Sequence, residues 1–115
     1  MKFHHIGIAT KDLKSSLEFV QKNFEVLEVS EEIFDENQNA TLQMIKTKDL
    51  NIELVSGKVV EKLIASKITY YHICYEVEDI YGKIEEFQKN GGAMLVSSVK
   101  PAILFDNRLV AFLMT

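Results

Sequence analysis

The chain has 115 residues, 47% of them hydrophobic, with a net charge of −4 and a pI near 5.4. This suits one globular domain with a real core, whose halves of about 60 residues would each be marginal alone. The acidic balance and absence of a basic run argue against nucleic acid, no apolar run nears membrane-spanning length, and a lone cysteine without an apolar signal core points to the cytoplasm.

Residues 3–9 alternate, with Ile6 and Ile8 on one side and Phe3, His5 and Gly7 on the other, as in a half-buried strand. Asp12 then caps a helix through Asn23 whose apolar stripe is Leu13, Leu17 and Val20. A strand is expected over 26–34, a polar turn over 35–39, and two more strands over 41–46 and 51–55. A partly helical connector follows over 57–66. Beyond it the pattern predicts a strand over 70–77, a helix capped by Asp79 and ended by Gly91-Gly92, and a strand over 93–99. A loop around Pro101 and Asp106-Asn107 then leads to a last strand over 108–114.

These two halves are related. Phe3 to Asn23 aligns without a gap on Tyr70 to Asn90, at a constant offset of 67, with seven of 21 positions identical. Such self-similarity indicates a doubled supersecondary unit, with modules over about 1–56 and 67–115. The fold expected is α+β: paired βαβββ modules around a cavity, the second lacking its last strand.

The repeat places His5 and His72 at equivalent positions, both on the side opposite the apolar residues that pack under the helices. Glu53 sits between Ile52 and Leu54, an acid on the cavity side of an apolar strand, where a buried carboxylate needs a partner. It is either a third donor or a rim carboxylate in a salt bridge. Two imidazoles and a carboxylate suit Zn, Ni, Co, Mn or Fe(II) with positions left open for substrate. His4 lies on the opposite parity and reads as an ordinary strand histidine. Gln43 is a polar candidate for the cavity wall, Cys74 shares a face with His72 but suits a small buried hydrophobe, and Glu76 marks the rim. Tyr70, Tyr71, Phe105 and Arg108 are candidates for a pocket lining or for core.

The segments His5-Ile-Gly-Ile-Ala-Thr-Lys-Asp-Leu, Asn51-Ile-Glu53-Leu-Val, His72-Ile-Cys-Tyr-Glu-Val-Glu-Asp-Ile and Arg108-Leu-Val-Ala-Phe-Leu resemble the vicinal oxygen chelate (glyoxalase, bleomycin resistance, dioxygenase) superfamily. Within it, the resemblance is to methylmalonyl-CoA epimerase and glyoxalase I (lactoylglutathione lyase) type enzymes. It implies a divalent metal held by His5, Glu53 and His72, and a homodimer; the catalytic base is left unassigned, with Glu53 a candidate. The implied activity is a metal-dependent isomerase, epimerase or lyase that takes a proton next to a carbonyl of an acyl thioester or an oxoaldehyde–thiol adduct. The family's fourth ligand, a glutamate that often doubles as the base, would fall near position 120, beyond Thr115, so a truncated or partner-completed site is expected, inactive or weak in metal binding and turnover as it stands. A second base of the epimerases would lie near Glu36-Asn37-Gln38. The alternative is a metal-free, small-molecule-sequestering protein of the same fold.

Overall fold

The computed structural model describes all residues, Met1–Thr115. The chain divides into two compact units, Phe3–Tyr75 and Glu76–Thr115 with Met1–Lys2.

In the first unit, β1 (Lys2–Ala9) leads to α1 (Leu13–Asn23), then β2 (Val26–Val29), β3 (Ile33–Asp35), β4 (Ala40–Thr47) and β5 (Asn51–Gly57). A 3-10 turn (Lys58–Val60) and a short α2 (Glu61–Ala65) carry the chain to β6 (Tyr70–Glu76). The sheet order is β2-β4-β5-β1-β6, with β3 also paired to β4. β1 and β5 run parallel, and β4 and β5 form an antiparallel ladder of seven residue pairs from Ala40↔Gly57 to Lys46↔Asn51. Parallel neighbours require a crossover between them, here supplied by α1 and the strands after it.

One face of this sheet is the core. Leu13 and Val20 of α1 pack with Ile45, Ile52 and Leu54, and Ile6 and Ile8 of β1 join from the side. The alternation within β1 and β5 therefore sends Gly7 and Glu53, which are register partners, to the opposite face.

The predicted strand over 26–34 is interrupted. Ser30 breaks it because its hydroxyl accepts from the Met44 amide at 2.8 Å, taking a place that a backbone carbonyl would fill in a continuous ladder. Gln43 also departs from expectation. It stands opposite Leu54, and its neighbour in parity Ile45 stands opposite Ile52, so Gln43 faces the helix-covered side. There its Nε2 donates to the Ser30 carbonyl at 3.1 Å. Met44, opposite Glu53, takes the place expected of Gln43.

The second unit contains α3 (Ile80–Asn90), β7 (Met94–Leu95), β8 (Lys100–Ala102), a 3-10 turn (Ile103–Phe105), β9 (Arg108–Val110) and β10 (Leu113–Met114). Asp79 caps α3, and Gly91 ends it with φ 84°, a conformation that suits glycine. The strand predicted over 93–99 is only two residues long, and the one over 108–114 is split in two. Pro101, expected in a loop, lies in β8, which pairs antiparallel with β9; β7 pairs with β10. Proline suits such a short strand because it need not donate to a second neighbour. Within the same unit Arg108 donates to Glu76 Oε1 at 2.8 Å.

Candidate metal centre

Three strands of the first unit bring three side chains to one point. His5 comes from β1, Glu53 from β5 and His72 from β6. His5 and Glu53 are almost fully buried, at 1% and 2% exposure. The Nε2 atoms of His5 and His72 are 3.0 Å apart. Glu53 spans both imidazoles, with Oε2 3.8 Å from His5 Nε2 and Oε1 3.4 Å from His72 Nε2.

The His72 ring owes its seat to Gly7. A Cβ at Gly7 would stand 2.5 Å from His72 Cε1 and 2.7 Å from both ring nitrogens. The Gly7 φ is ordinary, so it is the missing side chain and not backbone freedom that matters here. Tyr71 packs edge-to-face against His72 with ring centroids 4.7 Å apart.

Electrostatics turns the two imidazoles into neutral donors. Burial lowers His5 to about 3, helped by His72 and His4, and burial lowers His72 to about 4. Burial raises Glu53 to about 7, and the nearby Asp35 carboxylate adds to the rise. Near neutrality both imidazoles are therefore uncharged, so their approaches to Glu53 are not ion pairs. Neutral imidazole is the form that ligates a cation, and a cation would in turn favour ionised Glu53.

The geometry fits such an ion. Donors held about 2.0–2.2 Å from a tetrahedral ion lie roughly 3.4 Å from one another. The observed 3.0, 3.4 and 3.8 Å bracket that value. His4 Nδ1 lies 2.7 Å from His5 Nδ1. With the shared proton on His5 Nδ1, the His5 Nε2 lone pair is left facing the centre, the arrangement by which outer partners orient a ligating histidine.

The three candidate ligands read from the sequence are thus brought together. Cys74 is instead in a group with His4 and His5. Glu36 is exposed, whereas its neighbour Asp35 is buried and accepts from the Asn37 amide and Gln38 Nε2, each at 2.9 Å. Sequence reasoning missed Gly7 and Asp35. A glycine between two apolar strand residues was the available signal for the first, since it marks close approach by another group; Asp35 had been absorbed into a polar turn.

The model of the glyoxalase/bleomycin resistance protein/dioxygenase superfamily matches residues 4–112. No curated protein matches the sequence. Among solved structures, the methylmalonyl-CoA epimerase from Mycobacterium tuberculosis superposes with a TM-score of 0.82 at 17% identity, covering 97% of this chain and 77% of that one. The hypothetical protein BH1468 from Bacillus halodurans C-125 gives a TM-score of 0.74 at 25% identity, covering 97% and 83%.

Proposed function

The chain belongs to the glyoxalase/bleomycin resistance protein/dioxygenase superfamily, and from that premise we propose a divalent-metal-dependent isomerase or lyase that removes a proton next to a carbonyl. The substrate class is an acyl thioester, as for an epimerase, or an oxoaldehyde–thiol adduct. The observation that carries this reading is the convergence of His5 Nε2, His72 Nε2 and the Glu53 carboxylate in a buried site. The likeness of fold to a methylmalonyl-CoA epimerase supports it.

His5, His72 and Glu53 would hold the ion. When bound, the ion supplies a Lewis acid that stabilises negative charge developing on substrate oxygens. Glu53 is the one group of the trio able, once ionised, to accept a proton as well as hold the ion. Burial of His5 and Glu53 would keep bulk water from a bound ion and from a proton in transit. Gly7 holds His72 in place by leaving room for its ring. A metal-free sequestering site has no need of two imidazoles and a carboxylate turned toward one another in a buried place, so the metal-dependent reading is preferred.

The repeat at an offset of 67 supports two βαβββ modules, about 1–56 and 67–115, the second lacking its last strand, joined by the connector 57–66. Apolar side chains left at the surface, among them Leu27, Tyr81 and Met114, support a homodimer. The test is metal content of tag-free protein together with solvent deuterium exchange at the α-carbon of a 2-methyl acyl thioester and of an oxoaldehyde–thiol adduct. One equivalent more metal bound by the wild type than by His72→Ala, and metal-dependent exchange on one substrate that His72→Ala loses, are expected. Exchange that survives complete removal of metal would overturn the proposal.

A further inference from the structure

His4 and Cys74 have no part in the centre above, yet both come close to one of its ligands, His5. His4 alternates away from His5 along β1, but its ring folds back to bring the two Nδ1 atoms within 2.7 Å. The rings meet edge-to-face at 80°. Cys74 lies two residues beyond His72 on the same face of β6. Its Sγ and the ring nitrogens of His4 and His5 form a group in which all donor atoms lie within 4.8 Å of one another. Beside the two imidazoles the thiol supplies a third donor, of the kind that a soft ion takes.

We propose that His4 Nδ1, His5 Nδ1 and Cys74 Sγ form a second cation site, which shares the His5 imidazole with the Nε2-side centre. Two imidazoles and a thiolate select thiophilic or borderline ions such as Zn2+, Co2+ or Cu+ over Mg2+, Ca2+ or Mn2+. A tetrahedral ion with Zn–N of about 2.0–2.1 Å and Zn–S of about 2.3 Å separates its donors by roughly 3.4–3.6 Å. The imidazole pair must open slightly from 2.7 Å to admit it. His4 and Cys74 are partly exposed, and His4 lines an open concavity of about 260 Å³ with Phe3 and residues 47–51, so an ion can reach the site from solvent.

Binding replaces protons in a defined way. The ion takes the place of the thiol proton of Cys74, which leaves to solvent. The proton between the two Nδ1 atoms moves to an Nε2 atom when the first centre is empty. When the first centre holds an ion, the His5 proton also leaves and the imidazolate bridges the two ions. The second site does not require the first to be filled, so it stands apart from the proposed activity.

The test is titration of the reduced, tag-free full chain with Co2+, followed by absorption. Thiolate ligation gives a near-ultraviolet charge-transfer band that imidazole and carboxylate ligands do not. The band is expected in the wild type, to persist in His72→Ala and Glu53→Gln, and to vanish in Cys74→Ser. In His4→Phe the apparent affinity read from the band should fall by about tenfold or more. Absence of the band in wild-type protein shown by circular dichroism to be folded would overturn the site. Loss of the band in folded Glu53→Gln would also overturn it, by placing Cys74 in the first centre. Failure of the first centre alone has a different signature: the visible d–d spectrum is the same in wild type and His72→Ala while the charge-transfer band remains.

Discussion

Helices α1 and α3 are built to one recipe and end in different surroundings. Both have eleven residues and an aspartate cap, and each leaves its cap through extended backbone. In Phe3–Tyr75, however, eleven apolar residues are buried, against only Ile84 and Ala102 in Glu76–Thr115. The difference lies in the strands. The first unit has a seven-pair β4–β5 ladder whose residues reach α1, whereas the ladders of the second have three and two pairs. Met94, Val96, Ile103, Leu109 and Met114 remain exposed there. Local sequence is enough to start a helix, but burying its apolar face takes a sheet wide enough to lie under it. The three converging donors all belong to the well-packed unit, where their positions are best fixed.

The largest test of this contrast is truncation of matched core residues. Leu54→Ala, at 1% exposure and inside the α1 cluster, should cost about 3 kcal/mol. Ile84→Ala should cost less, about 2 kcal/mol, because Ile84 is the one buried position of α3 and is less deeply buried than Leu54. Urea denaturation measures both, and equal losses would mean that the second unit is as tightly packed as the first. Gly7→Ala comes next. The new methyl must displace the His72 ring or the strand beneath it, at about 1–3 kcal/mol. It should weaken cation binding by more than it lowers stability; unchanged binding would show that the ring has another seat.

A third test uses pH on metal-free protein. The imidazoles of His5 and His72 lie at about 3 and 4 in the folded chain against 6.5 unfolded, so their contribution is present above pH 6.5 and lost as pH falls toward 4. Glu53, at about 7 folded against 4.5 unfolded, acts in the opposite sense, and its contribution fades as pH rises from 4.5 to 7. Between pH 4.5 and 6.5 two histidines oppose one glutamate, so the unfolded chain binds one more proton and stability should rise with pH. The slope is of order 1 kcal/mol per pH unit. His72→Gln should flatten it in thermal melts. A slope of the same size in that variant would place the acid sensitivity elsewhere.

The sequence made the donor set legible because its signals were periodic and repeated. Parity along β1 and β5 put His5 and Glu53 on one face, and the repeat picked out His72. Parity failed at Gln43 because β4 is buried on both faces, so polarity no longer marks the outer side. Ser30 was hidden for another reason: a hydroxyl standing in for a carbonyl interrupts a strand without changing its composition. His4 was set aside by the same alternation that found His5. Strand period fixes where Cβ points, and a ring on that Cβ can still turn back toward its neighbour.

The smallest effect separates the two helices at their caps. Asp12 Oδ1 accepts from the Lys14 and Ser15 amides at 3.1 and 3.4 Å, and Oδ2 accepts from the Ser15 hydroxyl at 2.8 Å. These bonds, led by that of the Ser15 hydroxyl, hold the Asp12 carboxyl below the usual range. Asp79 accepts from the Gly82 amide alone among the amides of its helix, at 3.1 Å. Gly82 stands where Ser15 stands in the first helix, so the second cap lacks its hydroxyl donor. Gly82→Ser should restore that donor and remove the entropic penalty of a helical glycine, raising stability by about 0.5 kcal/mol. Its Cβ would meet Asp79 Oδ2 at 2.6 Å, but that atom is the free end of a rotatable carboxylate. The Asp12–Ser15 pair already shows a geometry in which both fit. A higher Tm for Gly82→Ser is the expected result; a lower one would mean that Asp79 cannot turn, and that the weaker cap of α3 is fixed by its backbone and not by the missing side chain.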